Sequence, residues 1–125
     1  MGGEFRDGFF LKEEHPGIAF IAVAEAEDLF ASRTALFIDS RSRKEYEAGH
    51  IPGAVSVPYD AGKKSPTPAD LAVPQDRTLV VYCHGGGCQM SISLAKALSS
   101  SGFKDIKIYA GGLAEWESLR LPMEK

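Results

Sequence analysis

Cysteine is scarce in this chain: 125 residues hold only two, Cys83 and Cys88. That is too few for the disulfide framework of a small secreted domain, so a reducing, cytoplasmic setting is expected. Long hydrophobic runs are also missing. The longest, Ile18 to Ala24, falls far short of the roughly 20 apolar residues a membrane helix needs. Met1 to Gly17 has no basic start, apolar middle and small-residue cleavage site, so a soluble chain with no signal peptide and no membrane association is expected. Basic residues are scattered, as Lys12, Arg33, Lys63, Lys64 and Arg77, and the net charge is −3. Without a cationic stripe, nucleic acid is not an expected partner. No internal repeat and no low-complexity tract is present.

What is present suffices for one core. With 44% hydrophobic and 10% aromatic residues, the chain is expected to form a single domain over residues 18–125, preceded by an arm or linker over 1–17. Apolar runs at Ile18 to Val23, Ala35 to Asp39, Ala54 to Val57, Thr78 to Tyr82 and Ile106 to Tyr109 read as strands. Helical spacing follows at Glu25 to Ala31, and Ser42 with Glu45 has the form of a capping box opening a helix that Gly49 ends. Thr67-Pro68 is expected to open a further short helix closed by Pro74. Met90 to Ser101 presents Leu94, Ala95 and Leu98 as an inward stripe before Gly102, and Leu113 to Leu119 carries Trp116, expected in the core. Alternating strands and helices imply an α/β fold, with a central, mainly parallel sheet of about five strands and helices on both faces.

Both cysteines fall in VVYCHGGGCQMS, residues 80–91. In open parallel sheets, ligands sit beyond the carboxyl ends of strands, and Cys83 directly follows one and precedes a helix. Amides of a glycine-rich turn and the positive end of a helix dipole both favour a thiolate there. Gly85, Gly86 and Gly87 lack a Cβ and can turn successive amides toward one point. A zinc clip fits poorly, because the two-cysteine spacing is wrong and no second pair exists. A redox pair stays open, since Cys88 is near enough in sequence to reach the roughly 4.4–6.8 Å Cα separation of a disulfide.

Asp39-Ser40-Arg41, Glu45-Tyr46, the run Gly49-His50-Ile51-Pro52-Gly53-Ala54, Val57-Pro58, Cys83 after its strand, Gly102-Phe103, and Gly111-Gly112 with Trp116 occur in a fixed order. Together they resemble the rhodanese-like domain over about Ile18 to Met123. The resemblance implies a sulfurtransferase without metal or organic cofactor. Cys83 would be the catalytic cysteine, taking sulfane sulfur from a small donor such as thiosulfate or a persulfide. It would pass that sulfur to cyanide or to a thiol acceptor, small or protein-borne. His84, Gly85, Gly86, Gly87, Cys88 and Gln89 would form the substrate-binding loop. Asp39 and Arg41 would support it as a local structural pair, and His50 would be structural rather than a ligand or base.

The loop departs from the family pattern in two ways. Where many members carry an arginine about five residues after the cysteine, this chain has Cys88 followed by Gln89, and the segment is about two residues longer. Without that cation the loop is less suited to an oxyanion, which weakens thiosulfate as a donor and argues against phosphatase chemistry on a related fold. His84, Arg41 or Arg43 would have to supply the charge instead, and no sequence spacing brings the two arginines to the loop. Cys88 adds a thiol that can accept the sulfur or resolve a persulfide. The alternative function is therefore a thiol redox or sulfur-carrier module using the Cys83/Cys88 pair.

Overall fold

The computed structural model describes residues 17–60, 62–85 and 89–125. The elements alternate as β1 (Ile18–Ile21), α1 (Val23–Ser32), β2 (Ala35–Asp39), α2 (Arg43–Ala48), β3 (Val55–Ser56), β4 (Thr78–Tyr82), α3 (Gln89–Ser100), β5 (Asp105–Tyr109) and α4 (Gly112–Ser118). The five strands form one sheet in the order β1-β5-β4-β2-β3, and each neighbouring pair is parallel. Strand β4 lies at its centre, with all five residues in register with both β2 and β5. A strand so placed is covered on both faces, which is why TLVVY carries no solvent-facing polar alternation.

The two-residue period of β4 feeds two cores. Leu79 and Val81 join Ile38, Ile106 and Ile108 beneath Leu94, Ala95 and Leu98 of α3. Val80 and Tyr82 point to the other face and pack with Ala26 of α1, Phe37, and Leu113 and Trp116 of α4. Trp116 is fully buried, its Nε1–H donating to the Pro122 carbonyl at 2.7 Å. The expected parallel sheet with helices on both faces is thus the observed architecture.

Local chemistry sets the element ends. Ser42 and Glu45 form the reciprocal capping box: the Ser42 hydroxyl accepts from the Glu45 amide at 3.1 Å, and the Glu45 carboxylate from the Ser42 amide at 3.3 Å. Two expectations need correction. The apolar run at Ile18 ends as a strand at Ile21, and Val23 already belongs to α1. No helix follows Thr67-Pro68. Thr67 and Asp70 do exchange side-chain-to-amide bonds, at 3.1 and 3.0 Å, but Ala72 turns left-handed at φ 57° and the segment closes after one turn. Pro74, with no N–H and a bias against helical geometry in the residue before it, prevents continuation.

Among the described residues no helix is long and apolar enough to cross a membrane. The α3 stripe is the test of the packing: Leu98 is fully buried in the core beneath that helix. Leu98→Ala should lower the urea unfolding free energy by about 2–5 kcal/mol. A change below about 0.5 kcal/mol would contradict the stripe as a packed face.

Candidate active site

Cys83 sits at the carboxyl end of the central strand and is 2% exposed. Two polar contacts hold the chain on either side of its sulfur. Leu113 N–H, at the start of α4, donates to the Cys83 carbonyl at 2.9 Å, and Ala114 N–H donates to the His84 carbonyl at 2.8 Å. In a trans peptide the following N–H points opposite to the carbonyl. The amides of His84 and Gly85 are thereby turned away from α4, and no backbone acceptor among the described residues takes either one.

The close seating of this loop on α4 depends on two glycines. A Cβ on Gly112, which has φ 64°, would lie 2.7 Å from the Cys83 carbonyl oxygen and from the Gly85 nitrogen. A Cβ on Gly85, at φ 147°, would lie 2.7 Å from the Gly111 carbonyl oxygen. Gly111-Gly112 and Gly85 are thus two sides of one contact, although 26 residues of sequence separate Gly85 from Gly111.

From the side of β2, Ser40 reaches the same strand end. Its amide and its hydroxyl both donate to the Tyr82 carbonyl, at 2.9 and 2.8 Å. The buried Asp39 carboxylate accepts from the Arg41 amide at 2.9 Å and is gripped by the guanidinium at 2.8–3.3 Å. Arg41 also donates to the Gly49 carbonyl at 2.7 Å, and the Tyr82 hydroxyl accepts from the Ile51 amide at 3.1 Å. Burial acts to lower the Arg41 pKa, but the charge and hydrogen bonds of Asp39 outweigh it and raise the pKa above the usual arginine value. The pair is a structural brace between the β2 end and the 49–51 turn.

The structure therefore separates the expected residues into groups. Cys83, His84, Gly85 and Gln89 lie at the junction of β4 and α3, with His84 and Gln89 exposed and Gly85 half-buried. Gly86, Gly87 and Cys88 lie outside the described residues. Asp39 and Arg41 form the expected local pair. Among the described residues Arg41 sends no hydrogen bond to the loop, its guanidinium being bonded to Asp39 and Gly49. Arg43 does not either: it stands exposed on α2, paired with Glu47 at 3.2 Å and lying over the Tyr46 ring. His84 alone of the three candidates belongs to the loop.

His50 has the structural role expected of it. Its ring stacks on Tyr46 at 3.8 Å, its Nδ1 lies 2.7 Å from the Tyr46 carbonyl, and its Nε2 lies 3.4 Å from Glu124.

One site neighbour was not legible as such in the sequence. Ser91, 1% exposed on the first turn of α3, directs its hydroxyl at the Cys83 sulfur at 3.9 Å. The signal was available: Ser91 extends the inward stripe of Leu94, Ala95 and Leu98 back by three residues, putting a hydroxyl on an otherwise apolar face. Cys83 itself is disulfide-bonded in this structure. No group of three or more metal-ligating side chains occurs among the described residues.

Comparison with known proteins agrees with this geometry. The model of the rhodanese-like domain matches residues 22–119. The chain belongs to the rhodanese-like domain family. The human single-domain sulfurtransferase is similar at 28% identity over 79% of this chain and 95% of its own, with a TM-score of 0.65. An HTH-type transcriptional regulator of Mycobacterium tuberculosis is 30% identical over 90% of this chain and 54% of its own length. A tRNA uridine(34) hydroxylase of Hamiltonella defensa is 31% identical over 78% of this chain but only 27% of its own. This rhodanese-like domain thus spans about half the length of the first of these curated relatives and about a quarter of the second. Family membership and the sulfurtransferase neighbour support sulfur transfer as the general chemistry, while the relatives place such domains in proteins of differing function.

Within this rhodanese-like site, burial raises the Tyr82 phenol pKa, and Asp39 raises it further; Tyr109 is raised by burial and then by Glu115. An unfolded tyrosine ionises near pH ~10. Above that, the unfolded state loses protons that the folded state keeps. The stabilisation is fully present below about pH 10 and is lost as pH rises further. The urea midpoint should fall from about pH 10 upward, and Tyr82→Phe should flatten that fall. An equally steep fall in the variant would contradict the burial of this phenol beside Asp39.

Proposed function

We propose that this domain is a rhodanese-type sulfurtransferase that carries sulfane sulfur as a persulfide on Cys83. The observation that carries the reading is the orientation of the loop after β4: α4 binds its first two carbonyls, leaving the His84 and Gly85 amides turned outward beside the cysteine. Fixed amide dipoles of this kind stabilise an anionic sulfur without reorganising. The Ser91 hydroxyl adds a donor directed at the sulfur itself.

In the first step the Cys83 thiolate attacks the outer sulfur of a donor such as thiosulfate. The new S–S bond forms as the donor's S–S bond breaks, and sulfite leaves with the electron pair. In the second step an acceptor thiolate or cyanide attacks the outer sulfur of the persulfide and restores the Cys83 thiolate. Neither step requires a general base if the loop already favours the thiolate, which suits a chain whose sequence shows no obvious Cys–His–Asp set. Because the loop has no arginine at the family position, donors that bring less negative charge than thiosulfate, such as low-molecular-weight persulfides, suit this site better.

A second reading is favoured by one observation, the disulfide at Cys83. In it the Cys83/Cys88 pair forms a redox or sulfur-carrier module with little thiosulfate turnover. The Cys88 thiolate attacks the inner sulfur of the Cys83 persulfide, the disulfide closes, and hydrosulfide leaves. The sulfane sulfur is the oxidant, so the step balances without another. A cellular thiol would then reopen the disulfide.

Intact-protein mass spectrometry of the reduced chain, before and after thiosulfate or glutathione persulfide, tests both readings. A gain of about 32 Da, one sulfur, is expected on the wild type and on Cys88→Ser and not on Cys83→Ser. Loss of about two mass units from the wild type, prevented by either substitution, would favour the redox module. No change with either donor would overturn the assignment of Cys83 as the sulfur carrier.

A further inference from the structure

At the end of the sheet opposite Cys83, a cavity of about 460 Å³ opens beside the end of α1, the first half of β2 and the residue before β4. The volume is within the roughly 300–1,000 Å³ range of small-molecule sites. Two arginines, Arg33 and Arg77, line it, and no aspartate or glutamate does. Among the described residues neither guanidinium is paired with a carboxylate. The Arg77 Nε is buried with no hydrogen-bond partner, a condition that costs free energy unless something else meets it. Arg33 occupies the C-cap of α1 in the left-handed region, φ 59° and ψ 33°, where glycine would avoid the Cβ penalty.

The backbone contributes donors as well. Strand β3 is in register only with Ile38 and Asp39, so that side of β2 is left uncovered by a strand from Ala35 as far as the Phe37 amide, while the Phe37 carbonyl meets Val55 at the ladder's end. Val57 N–H donates to the Asp39 carbonyl on this edge, whereas Ser40 N–H donates toward β4. Alternation along the strand then sends the amides of Phe37 and Ala35 to the uncovered side. Phe30 closes the cavity with an apolar ring set edge-on to Phe37 at 6.2 Å.

We propose that this cavity binds a small organic anion with a flat apolar body, a carboxylate or phosphate whose head is held by Arg77 and Arg33 and accepts from the Phe37 amide. Its body lies between Phe30 and the uncovered edge of β2. Arg77 and Cys83 flank β4 on opposite ends, and at about 3.3 Å per residue they stand on the order of 20 Å apart. The anion site is therefore distinct from the sulfur site, and a ligand there does not touch the reacting atoms.

Naphthoate, naphthyl phosphate and the neutral naphthalenemethanol, titrated into the isotopically labelled full chain and followed by amide chemical shifts, test this. Both anions should bind saturably with the largest shifts at the Phe37 and Ala35 amides, and the tighter one identifies the preferred head group. The neutral alcohol should bind at least about tenfold more weakly, and Arg77→Gln and Arg33→Gln should each weaken anion binding about tenfold, as loss of a charge-assisted hydrogen bond does. Both variants should keep the wild-type persulfide loading of Cys83. Arg33 is exposed and makes no side-chain ion pair among the described residues, so its variant keeps the test valid if Arg77→Gln unfolds. Equal binding of the alcohol, shifts centred on the Cys83 loop, no effect of Arg33→Gln, or no saturable binding would each overturn the proposal.

Discussion

The carbonyls of Cys83 and His84 are bound by two amides of the first turn of α4, and this pair of hydrogen bonds decides which way the loop after β4 faces. A helix start has amides without intrahelical partners, and a loop end has carbonyls without strand partners. Here each satisfies the other. The consequence for chemistry is indirect: once the carbonyls are fixed toward α4, the next two amides must point the other way, beside the cysteine. The contact requires backbone to approach backbone, so side chains are excluded from it. That explains glycine at 85 and 112, where a Cβ would stand 2.7 Å from a main-chain atom.

The remaining polar structure holds the strand ends to which this loop is attached. Ser40 is bonded twice to the Tyr82 carbonyl, directly before Cys83. Asp39 and Arg41 lock the neighbouring turn through a buried, multiply hydrogen-bonded pair. Such a pair offers little net stability over apolar packing, but removing one partner strands the other in the interior. Its value is positional: Asp39 and Arg41 define where the 49–51 turn lies, with the Arg41 Nε and Nη2 bonded to Asp39 and Gly49. Around Cys83 the described residues place the outward amides of His84 and Gly85 and the Ser91 hydroxyl.

Much of this was legible in the sequence, because it depends on local rules. The five strands announced themselves as apolar runs between turn residues, and the capping box at Ser42 and Glu45 formed as written. The position of Cys83 followed from strand-then-helix order alone. Two kinds of feature were not legible. The turn at Thr67 has a helical start signal, yet Ala72 and Pro74 end it at once, a competition between a cap and a breaker that the breaker wins. The contacts of Gly85 with Gly111 and of Ser91 with Cys83 are non-local or lie across a loop, and no spacing rule reports them. A serine on the inward face of α3 was the one available signal, since a buried hydroxyl needs a partner. Ser40 left no comparable trace.

The central claim of the proposed function is that the loop stabilises the Cys83 sulfur as an anion, so that this buried cysteine is reactive and not inert. The most direct measurement is the pH dependence of iodoacetamide alkylation of Cys83 in the reduced Cys88→Ser protein, with the unfolded chain as reference. The account predicts rapid modification near pH ~6.5, at least about tenfold faster than in the unfolded chain, whose thiol reacts mainly above pH ~8. A folded protein that reacts more slowly than the unfolded chain at every pH would contradict it.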